Sequence, residues 1–235
     1  MRGLAATRSK ARDLILRQQV QVDGHLATRP GAATRSDSQI EIAASEPHYV
    51  SRGGLKLAAA LDHFNFSPTG VTAIDVGAST GGFTDVLLRG GAHHVYTVDV
   101  GRDQLDHTLR ANPRVTVLEG TDARTLDGNV ISDPIAAIVS DVSFISLTQA
   151  LPAALSLAAP GAWLIALVKP QFELDQRLVG KGGLVKSDSI RQQAIDRVSS
   201  WLTDTPGWTA RDVITSPITG KSGNVEFLIG AIRDA

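Results

Sequence analysis

The stretch Ile74–Asp85, IDVGASTGGFTD, constrains this chain more than any other. An apolar run, VTAIDV, with Asp75 near its end, leads through Gly77, Gly81 and Gly82 into FTDVLLRGG, a segment with helical spacing. A strand that turns through glycines into a helix brings backbone N–H groups and a helix N-terminus close to a ligand. Glycine is required where a Cβ would block that approach or where the backbone needs a positive φ. The spacing departs from the dinucleotide pattern GxGxxG, because Ser79 occupies the place of its second glycine. A nucleotide-like ligand at this turn is one reading, and a purely structural glycine turn is the other.

From residue 71 onward strands and helices alternate, the pattern of an α/β domain. VTAIDV, HHVYTVDVG, RVTVLEG, IAAIVSDVS and GAWLIALVKPQ predict five strands. Helices are expected over FTDVLLRGG, around Gln104–Arg110, from about Leu147 to Ala158, and around Ser189–Leu202 with Ser187 or Asp188 as cap. TARDVITSPI and NVEFLIGAI, joined by the short loop TGKSG, predict a terminal antiparallel hairpin. Ahead of the first strand, SRGGLKLAAALDHF has the spacing of a helix that begins near Gly54. Lys56 falls in its first turn, where a cation opposes the helix dipole, and a plain surface lysine accounts for that placement as well.

The chain has 235 residues, 43% of them apolar and 20% charged, which is room for one substantial domain and a small one. With no cysteine there are no disulfides, thiolate zinc sites or cysteine nucleophiles, and a cytoplasmic setting is expected. No apolar run nears the roughly 20 residues of a membrane span. The N-terminus, MRGLAATRSKARD, lacks the apolar core of a secretory signal. Net charge is −1 but uneven: residues 1–35 hold seven bases and two acids, +5, which leaves −6 for the remainder. That asymmetry marks a small basic module on a neutral-to-acidic body. In the module, RSKARDLILRQQ predicts a helix with Ala11, Leu14 and Ile15 on one face, and VQVDGH and SQIEIAA predict short strands around a loop through Pro30. Arg8, Lys10, Arg12 and Arg17 are its candidates for phosphate contacts, and a solvated basic surface is the plainer alternative. The expected boundaries are residues 1–45 for the module, 46–52 for a linker and 53–235 for the α/β domain.

Open α/β sheets bind ligands beyond the carboxyl ends of their strands. The residues to weigh there are Asp75 to Ser79, then Asp99, Asp122, Asp141 and Lys169. Asp99 stands 24 residues after Asp75, near the roughly 20 expected of a carboxylate that binds ribose hydroxyls. A nicotinamide-cofactor reading shares the first strand and Asp99 but explains neither Ser79 nor Lys169. Lys169 follows the apolar run WLIALV and precedes a proline. Emergence from a buried strand desolvates the lysine and favours its neutral amine, which can serve as general base for a hydroxyl. An ion pair with Asp141 is the structural alternative.

The strings YVSRGGLKLAAAL, DVGASTGGFTD, VDVG, SDVSFISL, LVKPQFE, VGKGGLV and GNVEFL, in this order, resemble the TlyA family. Its members are rRNA (cytidine-2′-O)-methyltransferases, often labelled hemolysin A and grouped with the FtsJ/RrmJ-like ribose methyltransferases. RSKARDLIL, VQVDG, Pro30 and DSQIEI likewise resemble the small alpha-L RNA-binding domain. That likeness is partial, since MRGLAAT stands where the domain carries a preceding helix. The resemblance implies a Rossmann-like class I S-adenosyl-L-methionine (SAM)-dependent methyltransferase, its seven-stranded sheet ending in an antiparallel hairpin, plus a small N-terminal α+β RNA-binding module. It implies a catalytic Lys-Asp-Lys-Glu tetrad on Lys56, Asp141, Lys169 and Glu226, with Lys169 as the base. The SAM loop falls on Asp75, Gly77, Ala78, Ser79, Gly81, Gly82, Phe83 and Thr84, with Asp99 toward the SAM ribose and Asp122 near the adenine. SAM is then the cofactor and ribosomal RNA or ribosomal subunits the partner, with no metal and no membrane. Arg52, before Gly53 and Gly54, is expected beside the path to the site, and the loop from Gln171 to Lys186, carrying Lys181 and Lys186, as a basic lid over RNA. The competing functions are a non-catalytic RNA-binding or assembly factor, a haemolysin and a small-molecule methyltransferase. The tetrad argues against the first, the lack of an apolar span against the second, and the basic module against the third.

Overall fold

The computed structural model describes residues 3–5, 8–16, 19–42, 49–220 and 222–234, apart from the side chains of Ser9, Lys10, Asp13, Leu16 and Lys181. Arg17, the side chains of Lys10 and Lys181, and residues 46–48 of the expected linker lie outside that description. The chain divides into two compact units, residues 1–48 and 49–235.

In the first unit α1 (Arg8–Leu16) precedes β1 (Val20–Val22), β2 (His25–Leu26) and β3 (Ile40–Ile42). β1 is central and antiparallel to both neighbours, with Val22 opposite His25 and Val20 opposite Ile42. Asp23 and Gly24, between β1 and β2, have φ of 51° and 76°, the left-handed pair that a two-residue hairpin turn requires. Asp23 Oδ1 accepts the Gln39 N–H at 2.7 Å, which ties this turn to the start of β3. Leu14 and Val20 are buried, while Arg8 and Arg12 are exposed.

The second unit is built on a seven-stranded sheet. Its strands are β4 (Thr72–Val76), β5 (His94–Asp99), β6 (Val115–Glu119), β7 (Ile135–Ser140), β8 (Ala158–Val168), β9 (Trp208–Thr215) and β10 (Phe227–Arg233). They lie in the order β6-β5-β4-β7-β8-β10-β9. β4 to β8 are parallel, and β10 is antiparallel to both β8 and β9. The central strands read as almost unbroken apolar runs because both faces are covered. On one face Ala73, Val139, Ile165 and Leu228 pack with Leu57 and Ala60 of α2 (Gly53–Phe64) and with Phe83 and Leu87 of α3 (Gly82–Arg89). On the other, Ile74, Ile138, Leu164 and Ile229 pack with Leu147 of α5 (Leu147–Ala150), Leu155 of α6 (Pro152–Ser156) and Val198 and Leu202 of α7 (Asp188–Asp204). Winding proceeds outward from β4 toward β5 and β6, and from β7 toward β8 on the opposite side, so a crevice opens where β4 meets β7.

Three elements differ from the sequence-based expectation. The helix around Gln104–Arg110 is reduced to α4 (His107–Arg110). The Glu119 carboxylate takes the N–H groups of Asp103, Gln104 and Leu105 at 2.8, 2.9 and 2.9 Å, so these residues form a turn, and Asp106 caps the helix through the Thr108 N–H. The helix from Leu147 to Ala158 breaks at Pro152, which cannot donate to the preceding turn and instead opens α6. The terminal hairpin has a wide loop, with β10 starting at Phe227 and not at Asn224. Asn224 is buried and engaged elsewhere: its Nδ2 donates to the Gly183 carbonyl at 2.7 Å, and its Oδ1 accepts the Val185 N–H at 2.9 Å.

Gly230 in β10 faces Phe64 so closely that an added Cβ would lie 2.9–3.1 Å from three ring carbons. Gly230→Val is expected to cost about 1–3 kcal/mol by overpacking, read as a lower urea midpoint at unchanged slope. Gly128→Ala, with nothing within 4 Å of the new methyl, is the control and should stay within about 0.5 kcal/mol.

Candidate active site

The carboxyl ends of β4, β7 and β8 border a cavity of about 850 Å³, a volume suited to a nucleoside-sized ligand. The glycine loop forms one wall, with Gly77, Ala78, Ser79, Gly82 and Phe83 in the lining. Gly77 has φ +82°, and a Cβ there would lie 3.1 Å from the Asp141 carbonyl. At Gly81, φ +92°, a Cβ would run into Leu109 and Leu105. A Cβ at Gly82 would meet Ser51 Oγ and, at 3.0 Å, the Gly54 nitrogen, so Gly82 lets the first turns of α2 and α3 touch. Ser79 is left-handed too, φ 47°, an uncommon state for a residue with a side chain. Its N–H donates to Asp99 Oδ2 at 2.8 Å, while Asp99 Oδ1 accepts the Gly101 N–H at 2.7 Å. Asp99 thus fastens the loop, and each oxygen keeps a further lone pair for a ligand.

Asp75 is wholly buried in β4. Burial pushes its carboxyl up to about 7; the Thr84 hydroxyl, donating at 2.6 Å, opposes the shift, and the charges of Asp141 and Asp99 add to it. Asp75 is in the cavity lining, and its buried Oδ1 has no hydrogen-bond partner among the described residues. An orphaned buried acceptor of this kind suits a ligand that brings a donor or a positive charge.

Opposite the loop, four charged side chains meet. Lys56 Nζ lies 2.6 Å from Glu226 Oε2 and 3.9 Å from Asp141 Oδ2. Lys169 Nζ lies 2.6 Å from Asp141 Oδ1 and donates to Ser143 Oγ at 2.8 Å. Asp141 therefore serves both lysines, one from each oxygen. Both lysine side chains are 9% exposed and Glu226 is 4% exposed, so the plain surface-lysine reading of Lys56 is overturned: α2 presents it inward. The Lys169–Asp141 ion pair anticipated as an alternative exists, within a larger cluster. Lys169 follows β8 directly, Asp141 follows β7 directly, and Glu226 immediately precedes β10, so the sheet itself delivers three of the four.

Not every expected residue reaches the cavity. Gly81 and Thr84 support the loop from behind, and Asp99 stands beside it. Asp122 caps a short turn at Ala123–Thr125 and is held by Arg124 at 2.6 Å, which lowers its carboxyl below the usual range. Arg52 is exposed and lines the cavity, as do the backbone positions Gly182 and Gly183 after Lys181; Lys186 is exposed beyond it. Arg8 and Arg12 belong to the other unit. The sequence reading missed Ser143, Phe144 and Phe172, all in the lining. Phe144 is 90% exposed with φ 66°, and its ring lies 5.0 Å from that of Phe172. The available signal was an aromatic residue in a polar loop directly after a strand end, in SDVSFISL.

A parallel sheet with one antiparallel strand inserted near its edge, a glycine turn after its first strand and a lysine–carboxylate cluster at the switch point define a Rossmann-like methyltransferase. The family profile for FtsJ-like methyltransferases matches residues 49–233, and that for the S4 domain matches residues 1–36. The chain belongs to the FtsJ-like methyltransferases and, within them, to the TlyA family. It is 42% identical over 229 residues to the 16S/23S rRNA (cytidine-2′-O)-methyltransferase TlyA of Mycobacterium tuberculosis, covering 97% of this chain and 85% of that protein. Among solved structures, a candidate hemolysin from Streptococcus thermophilus superposes with a TM-score of 0.78 at 37% identity, covering 99% of this chain and 85% of that one. At the level of fold alone, an O-methyltransferase from Bacillus cereus in complex with SAH has a TM-score of 0.55 at 20% identity, covering 80% and 84%.

The buried carboxyl of Asp75 has a consequence for stability. Between an unfolded value of 3.8 and a folded value of about 7, the native state holds a proton that the unfolded chain has released, so stability falls as pH rises through that window. Relative to Asp75→Asn, the wild type is expected to lose up to about 4 kcal/mol between about pH 4 and pH 7. Urea midpoints of the two proteins across that range measure it, and a pH-independent difference would contradict the burial account.

Proposed function

We propose that this protein methylates the 2′-hydroxyl of a ribose in ribosomal RNA, a cytidine's, with SAM as methyl donor. The observation that carries the reading is the pairing of Lys169 with Asp141 and of Lys56 with Glu226 in one cavity beside the glycine loop. The rRNA (cytidine-2′-O)-methyltransferase activity for which the M. tuberculosis relative is named supports the substrate, and the S4 match over residues 1–36 supports RNA as its class. The SAH-bound fold neighbour supports the cofactor.

When bound, SAM supplies an electrophilic methyl group, so the protein's tasks are to hold it, align the hydroxyl and accept one proton. Asp75, Gly77, Ala78, Ser79, Gly82 and Phe83 would hold it, with Asp99 at its ribose, Asp122 near its adenine, and Gly81 and Thr84 bracing the loop. Lys169 accepts the hydroxyl proton. Asp141 orients Lys169 with one oxygen and Lys56 with the other, and Glu226 anchors Lys56, whose ammonium contacts the ribose or its phosphate. Little net charge develops in such a transfer, so alignment supplies most of the acceleration. Phe144 and Phe172 offer faces on which an unstacked base can rest. Arg52, Lys181 and Lys186 around the cavity, and Arg8, Lys10, Arg12 and Arg17 in the module of residues 1–45, supply cations for the phosphates. The domain from residue 53 carries the chemistry. Among the described residues no helix is long and apolar enough to cross a membrane, so nothing there favours a pore.

In vitro, unmodified ribosomal subunits and labelled SAM should yield a 2′-O-methyl mark that maps to a cytidine. Lys169→Ala should lower turnover by about 10²–10⁴ while calorimetric SAM affinity is kept; normal turnover in that variant would sink the base assignment. RNA affinity should fall steeply with salt, and each of Arg8→Ala and Arg12→Ala should reduce the slope of log K against log salt by about 1.

A further inference from the structure

We infer that Ser143 is a positioning residue that aims the lone pair of Lys169 at the substrate hydroxyl. The inference rests on the proposed role of Lys169 as base. A lysine amine sits on four rotatable bonds, and in its neutral form it carries two N–H hydrogens and one lone pair. A base must present that lone pair in one direction, and burial of the stem does not by itself prevent rotation about the last bond. Among the described residues, two acceptors stand within reach of Lys169 Nζ: Asp141 Oδ1 at 2.6 Å and Ser143 Oγ at 2.8 Å. If each takes one hydrogen, the lone pair is left a single tetrahedral direction. The Phe172 ring, its centroid 6.0 Å from Nζ, flanks the amine, and Lys169, Ser143 and Asp141 all line the cavity. The open direction is therefore the cavity. With Asp141 alone, one hydrogen would be fixed and the other would share two positions with the lone pair, so the amine would spend part of its time presenting a hydrogen to the hydroxyl.

The loop that carries Ser143 is pinned at both ends. The Asp141 N–H donates to the Val76 carbonyl at 3.1 Å. Five residues on, Ser146 Oγ donates to the buried Glu173 carboxylate at 2.5 Å, and the Leu147 N–H donates to it at 2.9 Å. Phe144 holds the reversed backbone, φ 66°, immediately after the serine. Ser143 itself is exposed to the cavity and takes no part in the apolar core, so its hydroxyl has no packing task to explain its contact with Lys169. In the step it assists, the O–H bond of the ribose breaks, an N–H bond forms on Nζ from the lone pair, and the O–H bonding pair stays on the oxygen.

Kinetics and binding on Ser143→Ala, Ser143→Thr and Lys169→Ala, with ribosomal subunits and SAM, test this. Ser143→Ala should lower kcat about 10–100-fold, with KM for the RNA, calorimetric SAM affinity and thermal midpoint all within about twofold or a degree of wild type. Ser143→Thr, which keeps the hydroxyl, should recover most of kcat. Wild-type kcat in Ser143→Ala alongside a dead Lys169→Ala would overturn this inference and leave the base in place. An active Lys169→Ala would overturn the base and this inference with it. A loss in Ser143→Ala that appears as weaker SAM or RNA binding, or that threonine does not repair, also overturns it.

Discussion

Asp141 is where the two halves of the site are joined. Its carboxylate divides between Lys169 at 2.6 Å and Lys56 at 3.9 Å, and its backbone N–H donates to the Val76 carbonyl at the end of β4. Its own carbonyl lies where a Cβ on Gly77 would sit, at 3.1 Å. The glycine turn and the charged cluster are thus one mechanical unit, held at the point where β4 and β7 pair. A side chain at position 77 would push on the residue that orients both lysines. Removing the Asp141 carboxylate would leave two largely buried ammonium groups with one partner between them, a loss that typically costs about 3–5 kcal/mol.

The cluster also explains why a helix outside the alternating sheet pattern belongs to the site. The sheet can deliver Asp141, Lys169 and Glu226 from the ends of β7 and β8 and the start of β10, because those strands are neighbours or one apart. The remaining strand end at the cavity, that of β4, carries Asp75 and no cation. α2 supplies Lys56 from its first turn, which is electrostatically the wrong end of a helix for a lysine. Glu226 at 2.6 Å offsets that disadvantage. The approach is possible because Gly82, at the start of α3, carries no Cβ where it meets the Gly54 nitrogen of α2.

Most of this architecture was legible in the residue order. Strands buried on both faces announce themselves as apolar runs, and the charged residue at each carboxyl end then stands out by position alone. What was not legible depended on contacts between distant residues. Gln104 has every local reason to be helical, and only the Glu119 carboxylate, 15 residues away, decides otherwise. Asn224 looked like the first residue of a strand, yet its side chain is committed to Gly183 and Val185, some 40 residues earlier. Lys56 could not be distinguished from a surface lysine without knowing that Glu226, 170 residues on, would face it. Ser143 and Phe144 were invisible for a different reason: a loop of small and polar residues has no period, so the φ of 66° that separates the serine from the exposed ring leaves no trace in the pattern.

The charges of the cavity bear on which ligand it accepts. Lys56 and Lys169 are matched by Asp141 and Glu226, so the cluster is close to neutral as a whole. Asp75 on the facing wall, and Asp99 beside the glycine loop, add carboxylates without adding a cation. Of these, Asp99 accepts an N–H at each oxygen, while burial pushes the Asp75 carboxyl up to about 7. An anionic ligand would find little to attract it on that wall. A cationic one would favour ionisation of Asp75, whose Oδ1 has no donor among the described residues. The two walls therefore divide the work by charge: the carboxylate side suits a positively charged donor, and the lysine side suits a hydroxyl whose neighbours are phosphates.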